Sequence, residues 1–89
     1  MLAKNAVLAN RAGLFARPAT FFIQKANEFN SQIWIERGKQ RINAKSLLGV
    51  LSLGIAHGTE ITIIAEGEDE VEAVEGLLAL IETKFGEDV

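Results

Sequence analysis

The chain has 89 residues, a formal net charge of −3, one histidine and no cysteine. This length fits a single domain over residues 1–89, and the lack of cysteine excludes disulfides, thiolate metal sites and cysteine nucleophiles. One histidine excludes a multi-histidine metal centre, and no apolar run approaches the ~20 residues that span a bilayer. We therefore expect a cytoplasmic domain that binds no membrane and needs no metal or other cofactor.

The first half of the chain predicts a strand, a helix and a hairpin. Residues 2–8 indicate a strand, and the apolar positions from 18 to 29 recur at helical spacing after a glycine turn. Residues 33–35 are rich in strand formers, and Gly38-Lys39 can join them to residues 40–43 as a two-residue hairpin.

The second half predicts a short helix, a strand and a longer helix. Ser46 precedes the apolar residues 47–51 and suits the N-cap of a helix. Residues 60–66 alternate as a strand does, and Asp69 with Glu72 has the spacing of a capping box. An apolar helical stripe follows at Val71, Val74, Leu77, Leu78, Ile81 and Phe85. The order β-α-β-β-α-β-α favours an α/β (α+β) open-faced sandwich, in which helices cover one face of a mainly antiparallel four-stranded sheet.

The net charge conceals an uneven distribution. Residues 1–45 carry eight basic and two acidic side chains, a net +6, whereas residues 46–89 carry one basic and ten acidic side chains, a net −9. The basic half raises the alternative of a nucleic-acid-binding module. An RNA-binding sheet would carry several aromatic side chains on its strands, and here the predicted strands carry only Trp34. We therefore expect no direct contact with nucleic acid.

Two segments carry residues suited to phosphate chemistry. In Gly13-Leu-Phe-Ala-Arg-Pro-Ala19 a turn leads into a helix whose free amides and Arg17 could bind an anion, although many such helix starts are simply solvated. In the second segment, a phosphate on Ser46 would add negative charge at the positive end of a helix. The spacing alone favours an ordinary serine N-cap over a phosphorylation site.

These two segments, GLFARPA and NAKSLLGVLSLG, resemble those of the HPr family, the small phosphocarriers of the bacterial sugar phosphotransferase system. The resemblance runs through the whole chain and implies the same open-faced sandwich. In the family, the residue before Ala-Arg-Pro-Ala is the histidine that carries the phosphate. Here that residue is Phe15, which has no nitrogen to phosphorylate. The lone histidine, His57, lies in a predicted loop, where we expect a solvated ring.

The resemblance implies a regulatory role in place of phosphate transfer. In HPr proteins of low-GC Gram-positive bacteria, the serine at the position of Ser46 is phosphorylated by HPr kinase/phosphorylase. The phosphorylated protein then acts as corepressor for a LacI-type catabolite control protein. The chain is similar to the catabolite-repression HPr (Crh) branch, which lacks the histidine and keeps the serine, although Phe15 differs from the polar residue of that branch. We expect no enzymatic activity from the chain itself.

The predicted partner-binding surface surrounds Phe15. We expect this side chain to be exposed and to join the leucines of the short helix in one apolar patch with a basic rim; the alternative is that Phe15 folds down and fills space. The predicted contact residues are Phe15, Arg17, Lys45, Leu47, Leu48 and Leu51. A phosphorylation-independent adapter that binds a metabolic enzyme or a phosphotransferase component remains the alternative function. The sequence leaves open whether the chain forms a homodimer.

Overall fold

The structure is a computed structural model that describes residues 1–86. Four strands and three helices alternate in the predicted order, and a short 3-10 turn follows the last helix. Their bounds are β1 Leu2–Val7, α1 Ala16–Ala26, β2 Gln32–Arg37, β3 Gln40–Asn43, α2 Leu47–Ser52, β4 Glu60–Glu66, α3 Glu70–Glu82 and the 3-10 turn Lys84–Gly86. The predicted open-faced sandwich is confirmed. Within residues 1–86, no helix is long and apolar enough to cross a membrane.

The sheet has the order β1-β4-β2-β3, and all three neighbouring pairs are antiparallel. Side chains alternate between its two faces, so that Ile61 and Ile63 point to the helices while Thr62 points away from them. On the helix side, Phe22 of α1 and Leu77 of α3 are fully buried in the core cluster with the inner residues of the sheet. Burial of these apolar side chains fixes which face of the sheet the helices cover.

The opposite face of the sheet is open and mostly polar. The hydroxyl of Thr62 donates to Asn5 Oδ1 over 2.8 Å, and Arg41 pairs with Glu36 at 2.9 Å on the neighbouring strands. These cross-strand contacts join side chains that lie opposite each other in the register. The open face therefore stabilises the strand pairing without help from a helix.

Three boundaries differ from the sequence-based prediction. The last helix ends at Glu82, so Phe85 of the predicted helical stripe lies in the 3-10 turn instead. The first helix ends at Ala26, before the predicted end at Phe29, because Asn27 turns the chain and its side-chain amide donates to the carbonyl of Ile23. The first strand ends at Val7 and excludes Leu8, whose amide donates to the carbonyl of Thr59 outside the ladder.

The predicted capping box of the last helix is wrong. Asp69 makes no side-chain capping bond; its carboxylate accepts hydrogen bonds from the Ser31 hydroxyl and from the amides of Asn30 and Ser31 at 2.8 and 2.9 Å. Glu70, one residue after Asp69, accepts a hydrogen bond from the amide of Gly67 at 3.2 Å, whereas a capping box would have joined Glu72 to the amide of Asp69. The carboxylate of Asp69 therefore joins the start of α3 to the start of β2.

Candidate regulatory and partner-binding site

Phe15 lies immediately before α1, at the N-cap. Its backbone is extended, with φ −131° and ψ 161°, and the following Ala16 has a left-handed φ of 53°. A phenyl ring has no acceptor for the free amides of the first turn, and no side-chain capping bond forms. The side chain of Phe15 is 38% exposed and therefore reaches the solvent.

The segment before Phe15 is held against the turn that follows α2. The amide of Leu14 donates to the carbonyl of Ile55 over 2.8 Å. Gly13, with φ +66°, permits this approach, since a Cβ there would lie 2.4 Å from the same carbonyl oxygen. The position of Phe15 is therefore tied to the end of α2.

His57 also lies where the loop after α2 meets the loop before Phe15. The residue is exposed, but its Nδ1 lies 3.2 Å from the carbonyl oxygen of Asn10. His57 is thus exposed in a loop, as expected, and the contact with Asn10 is an addition that the sequence did not predict. Sequence spacing gave no sign of this contact, since the two residues are 47 positions apart.

Arg17 packs against its own helix. Its guanidinium lies 5.4 Å from the centre of the Phe21 ring, a cation–π distance. The two side chains line a crevice of about 290 Å³ between the start of α1 and the 3-10 turn at Lys84 and Phe85. The positive charge of Arg17 is thereby kept at the surface, two residues from Phe15.

Ser46 is the N-cap of α2, as predicted from the sequence. Its Oγ accepts a hydrogen bond from the amide of Gly49 over 3.1 Å, and its carbonyl accepts from the amide of Val50. A Cβ at Gly49 would lie 3.3 Å from Ser46 Oγ, which is tighter than most such contacts. Ser46 is exposed, so its hydroxyl can be reached from solvent.

The leucines of α2 line the surface beside Ser46. Leu48 is 81% exposed and Leu47 is 43% exposed, while Leu51 is half-buried. Leu47 and Leu48 are adjacent, and nothing else within residues 1–86 covers them. Such apolar area usually marks an interaction surface.

Lys45 precedes this helix, and its ammonium makes a hydrogen bond within the domain. Its ammonium donates to the carbonyl of Phe29 over 2.7 Å, just after the end of α1. The half-buried stem lines a second crevice, of about 250 Å³, beside Trp34 and Asn43. Its ammonium therefore stabilises the junction between α1 and β2 in addition to any contact with a partner.

Arg37 is a residue that the sequence analysis did not single out. Its Nη1 donates to the carbonyl oxygens of Leu53 and Gly54, at 2.6 and 3.4 Å, where α2 ends. No motif could have revealed it, because an arginine at the end of a strand normally reads as a solvated charge. Within residues 1–86, no cluster of three or more histidine, cysteine or acidic side chains could hold a metal ion.

Comparison with known proteins matches these features to one family. The protein-family model described as the PTS HPr component phosphorylation site matches residues 2–83. The chain belongs to the HPr family. Among HPr-family relatives, the HPr-like protein Crh of Halalkalibacterium halodurans is 49% identical over 82 residues, which cover 92% of this chain and 98% of that protein.

Solved HPr-family structures share the whole fold. HPr-C-His from Thermoanaerobacter tengcongensis has a TM-score of 0.98 and 46% identity, with both chains fully covered. Crh of Bacillus subtilis has a TM-score of 0.75 and 43% identity, covering 94% of this chain and 97% of that one, and its crystal structure is described as a dimer with a swapped domain. The resemblance to the HPr family and to Crh is thus confirmed, in both sequence and fold.

Proposed function

We propose that this HPr-family protein is a regulator that cannot carry phosphate on a histidine. The side chain before Ala16-Arg17-Pro18 is Phe15, and a phenyl ring has no lone pair that could attack phosphorus. His57 does not replace it in this account, because its Nδ1 is engaged with the carbonyl oxygen of Asn10 at 3.2 Å. The protein therefore passes no phosphate between partners and catalyses no reaction.

Ser46 is the switch in this proposal, and HPr kinase/phosphorylase is the enzyme that modifies it. The exposed Ser46 hydroxyl beside exposed Leu47 and Leu48, on one six-residue helix, is the observation that supports this role most directly. A phosphoryl group on Oγ would bring nearly two negative charges close to the free amides of α2. The charge is added where the helix favours it, so the fold changes little.

A LacI-type catabolite control protein is the proposed partner of the phosphorylated form. The dianion at Ser46 would meet basic groups of the partner, while the exposed leucines and Phe15 would meet apolar ones. The proposed contact residues are Phe15, Arg17, Lys45, Leu47, Leu48 and Leu51. The likeness to Crh, a protein named for catabolite repression, supports this choice of partner.

Residues 1–89 act as one cytoplasmic domain in this proposal, without direct contact with nucleic acid or membrane. A homodimer belongs to it as well, because Crh of Bacillus subtilis is described as a domain-swapped dimer at 43% identity. The first strand of this chain lies at the edge of the sheet, where a strand is available for exchange or pairing.

The alternative is an HPr-like adapter that acts without phosphorylation. Leu48 is 81% exposed in the unmodified chain, so an apolar docking surface exists before any phosphate is added. A metabolic enzyme or a phosphotransferase component could bind there. The two functions differ in one observable, the dependence of partner binding on Ser46.

Two phosphorylation reactions test the proposal. One contains ATP with HPr kinase/phosphorylase, the other phosphoenolpyruvate with enzyme I, and products are separated on a phosphate-retarding gel. We expect wild type to be labelled by the kinase alone, Ser46→Ala by neither, and Phe15→His by both. Labelling of wild type by enzyme I would overturn the loss of carrier function, and a lack of labelling by the kinase would favour the adapter.

A further inference from the structure

The guanidinium of Arg37 binds backbone carbonyls, whereas the other arginine of the same hairpin binds a carboxylate. Arg37 Nη1 lies 2.6 Å from the carbonyl oxygen of Leu53 and 3.4 Å from that of Gly54. Arg41, four residues further along, pairs with Glu36. Within residues 1–86, no carboxylate lies within ion-pair distance of Arg37, so its charge is directed at the end of α2.

The first of these carbonyls is a group that a helix end leaves without an intrahelical partner, and the second belongs to the residue after the C-cap. Leu53 is the C-cap of α2, and the last carbonyls of a helix carry partial negative charge that a cation stabilises. With only six residues, α2 is far shorter than a helix that holds its shape in water alone. Its conformation therefore depends on contacts such as the one from Arg37.

The same turn also holds the segment that carries Phe15. Gly54 adopts a left-handed φ of +62° and directs the chain into Ile55. The carbonyl of Ile55 then accepts the hydrogen bond from Leu14, the residue before Phe15. The contact of Arg37 is thus made at the junction between α2 and the Phe15 segment.

We propose that Arg37 is a positioning residue that keeps α2 and the Phe15 segment in a fixed mutual arrangement. From the end of β2, its guanidinium holds the carbonyls of Leu53 and Gly54. The relative placement of Leu48 and Phe15 on the surface then depends on this side chain together with the hydrogen bond from Leu14 to Ile55. The consequence for partner binding rests on the proposed function, whereas the structural role does not.

Residue-resolved amide hydrogen exchange on the unphosphorylated protein tests this role. Arg37→Met keeps the side-chain length and removes every donor, and Arg41→Met is the matched control on the same hairpin. We expect Arg37→Met to speed exchange about tenfold at the amides of Val50 and Leu14, while Ile63 of β4 exchanges as in wild type. Arg37→Lys, which keeps a cationic donor, restores part of the protection.

Three results would overturn the inference. These are unchanged exchange at Val50 and Leu14, equal acceleration in Arg41→Met, or acceleration in Arg37→Met that includes Ile63 to the same degree, which would indicate global destabilisation. A binding measurement with the LacI-type regulator then extends the test: we expect the Ser46-phosphorylated Arg37→Met protein to bind several-fold more weakly than Arg41→Met. The exchange experiment needs neither kinase nor regulator, so it decides the role of Arg37 even if Ser46 is not the switch.

Discussion

The amide of Leu14 and the carbonyl of Ile55, 41 residues apart, form a 2.8 Å hydrogen bond that joins the Phe15 segment to the turn after α2. This bond joins the chain segment that leads into Phe15 to the chain segment that leaves the short helix. Phe15 follows Leu14 directly, and Leu48 lies on the helix whose exit contains Ile55. The candidate site is therefore an assembly of two chain segments and has no counterpart in any single motif.

Replacement of Gly13 should break this assembly. An alanine would have to adopt a left-handed φ near +66° and would place its Cβ 2.4 Å from the Ile55 oxygen, a backbone atom that cannot easily move. We expect Gly13→Ala to lower the free energy of unfolding by more than about 3 kcal/mol in urea denaturation. Gly38→Ala is the control, since Gly38 has φ +59° with open space around it.

The control separates the cost of a left-handed backbone from the cost of the steric contact with the Ile55 oxygen. Gly38→Ala should cost only the backbone conformational term, about 1–2 kcal/mol. Equal losses in both variants would show that the approach of Gly13 to Ile55 contributes nothing.

Loss of the Ser46 hydroxyl should destabilise the domain even without any kinase. Ser46 Oγ caps the amide of Gly49, and removal of a serine N-cap typically costs about 1 kcal/mol. We expect Ser46→Ala to lower the urea midpoint without changing the m-value, and Ser46→Asp to retain most of the stability because its carboxylate can also cap. Ser52→Ala, which removes an exposed hydroxyl at the other end of α2, should change stability by no more than about 0.5 kcal/mol. A larger loss in Ser52→Ala than in Ser46→Ala would contradict the capping role.

Acid sensitivity should depend on Asp69. The hydrogen bond from the Ser31 hydroxyl, followed by that from the Asn30 amide, lowers the pKa of Asp69 below its ordinary value of 3.8. Because the pKa is lower in the folded state, the contribution to stability is fully present above the ordinary value and is lost as pH falls through the folded-state pKa.

Thermal melts between pH 7 and pH 2 should therefore show a smaller acid-dependent fall in Tm for Asp69→Asn than for wild type. Asp69→Asn should also melt lower than wild type at pH 7, since the charged acceptor is gone. Glu75→Gln, on the exposed side of α3, serves as control and should melt like wild type at pH 7. An Asp69→Asn protein that keeps the full wild-type pH dependence would refute this assignment.

Truncation of Phe15 should weaken partner binding more than it affects stability. The side chain is 38% exposed and sits outside the core cluster, so Phe15→Ala should cost less than about 1 kcal/mol of unfolding free energy. In calorimetric titration of the Ser46-phosphorylated protein with the LacI-type regulator, we expect affinity to fall at least about tenfold, as for an aromatic anchor. Val71→Ala removes a comparably exposed apolar side chain from α3 and should leave affinity unchanged. Unchanged affinity in Phe15→Ala would remove Phe15 from the contact surface.

Much of the fold could be predicted from local patterns. Alternating apolar residues predicted β4, the Gly38-Lys39 turn predicted the β2–β3 hairpin, and Ser46 predicted the start of α2. All three are observed. Each of these signals acts within a few residues, where side-chain periodicity and turn conformation are decided by the local chain. The end of α1 and the hydrogen bonds at the start of α3 could not be predicted so well, because Asn27 and Asp69 bond to partners that the pattern does not name.

The sequence by itself determined the chemistry that is available to this HPr-family protein. Phe15 stands before Ala-Arg-Pro-Ala, Ser46 begins a short apolar helix, and the single histidine lies elsewhere; these are properties of composition and order. Only the tertiary structure decided which groups meet. The bond from Leu14 to Ile55 and the contact of Arg37 with Leu53 join residues 41 and 16 positions apart. Such pairings depend on how the helices pack on the sheet, and no local preference of the chain encodes them.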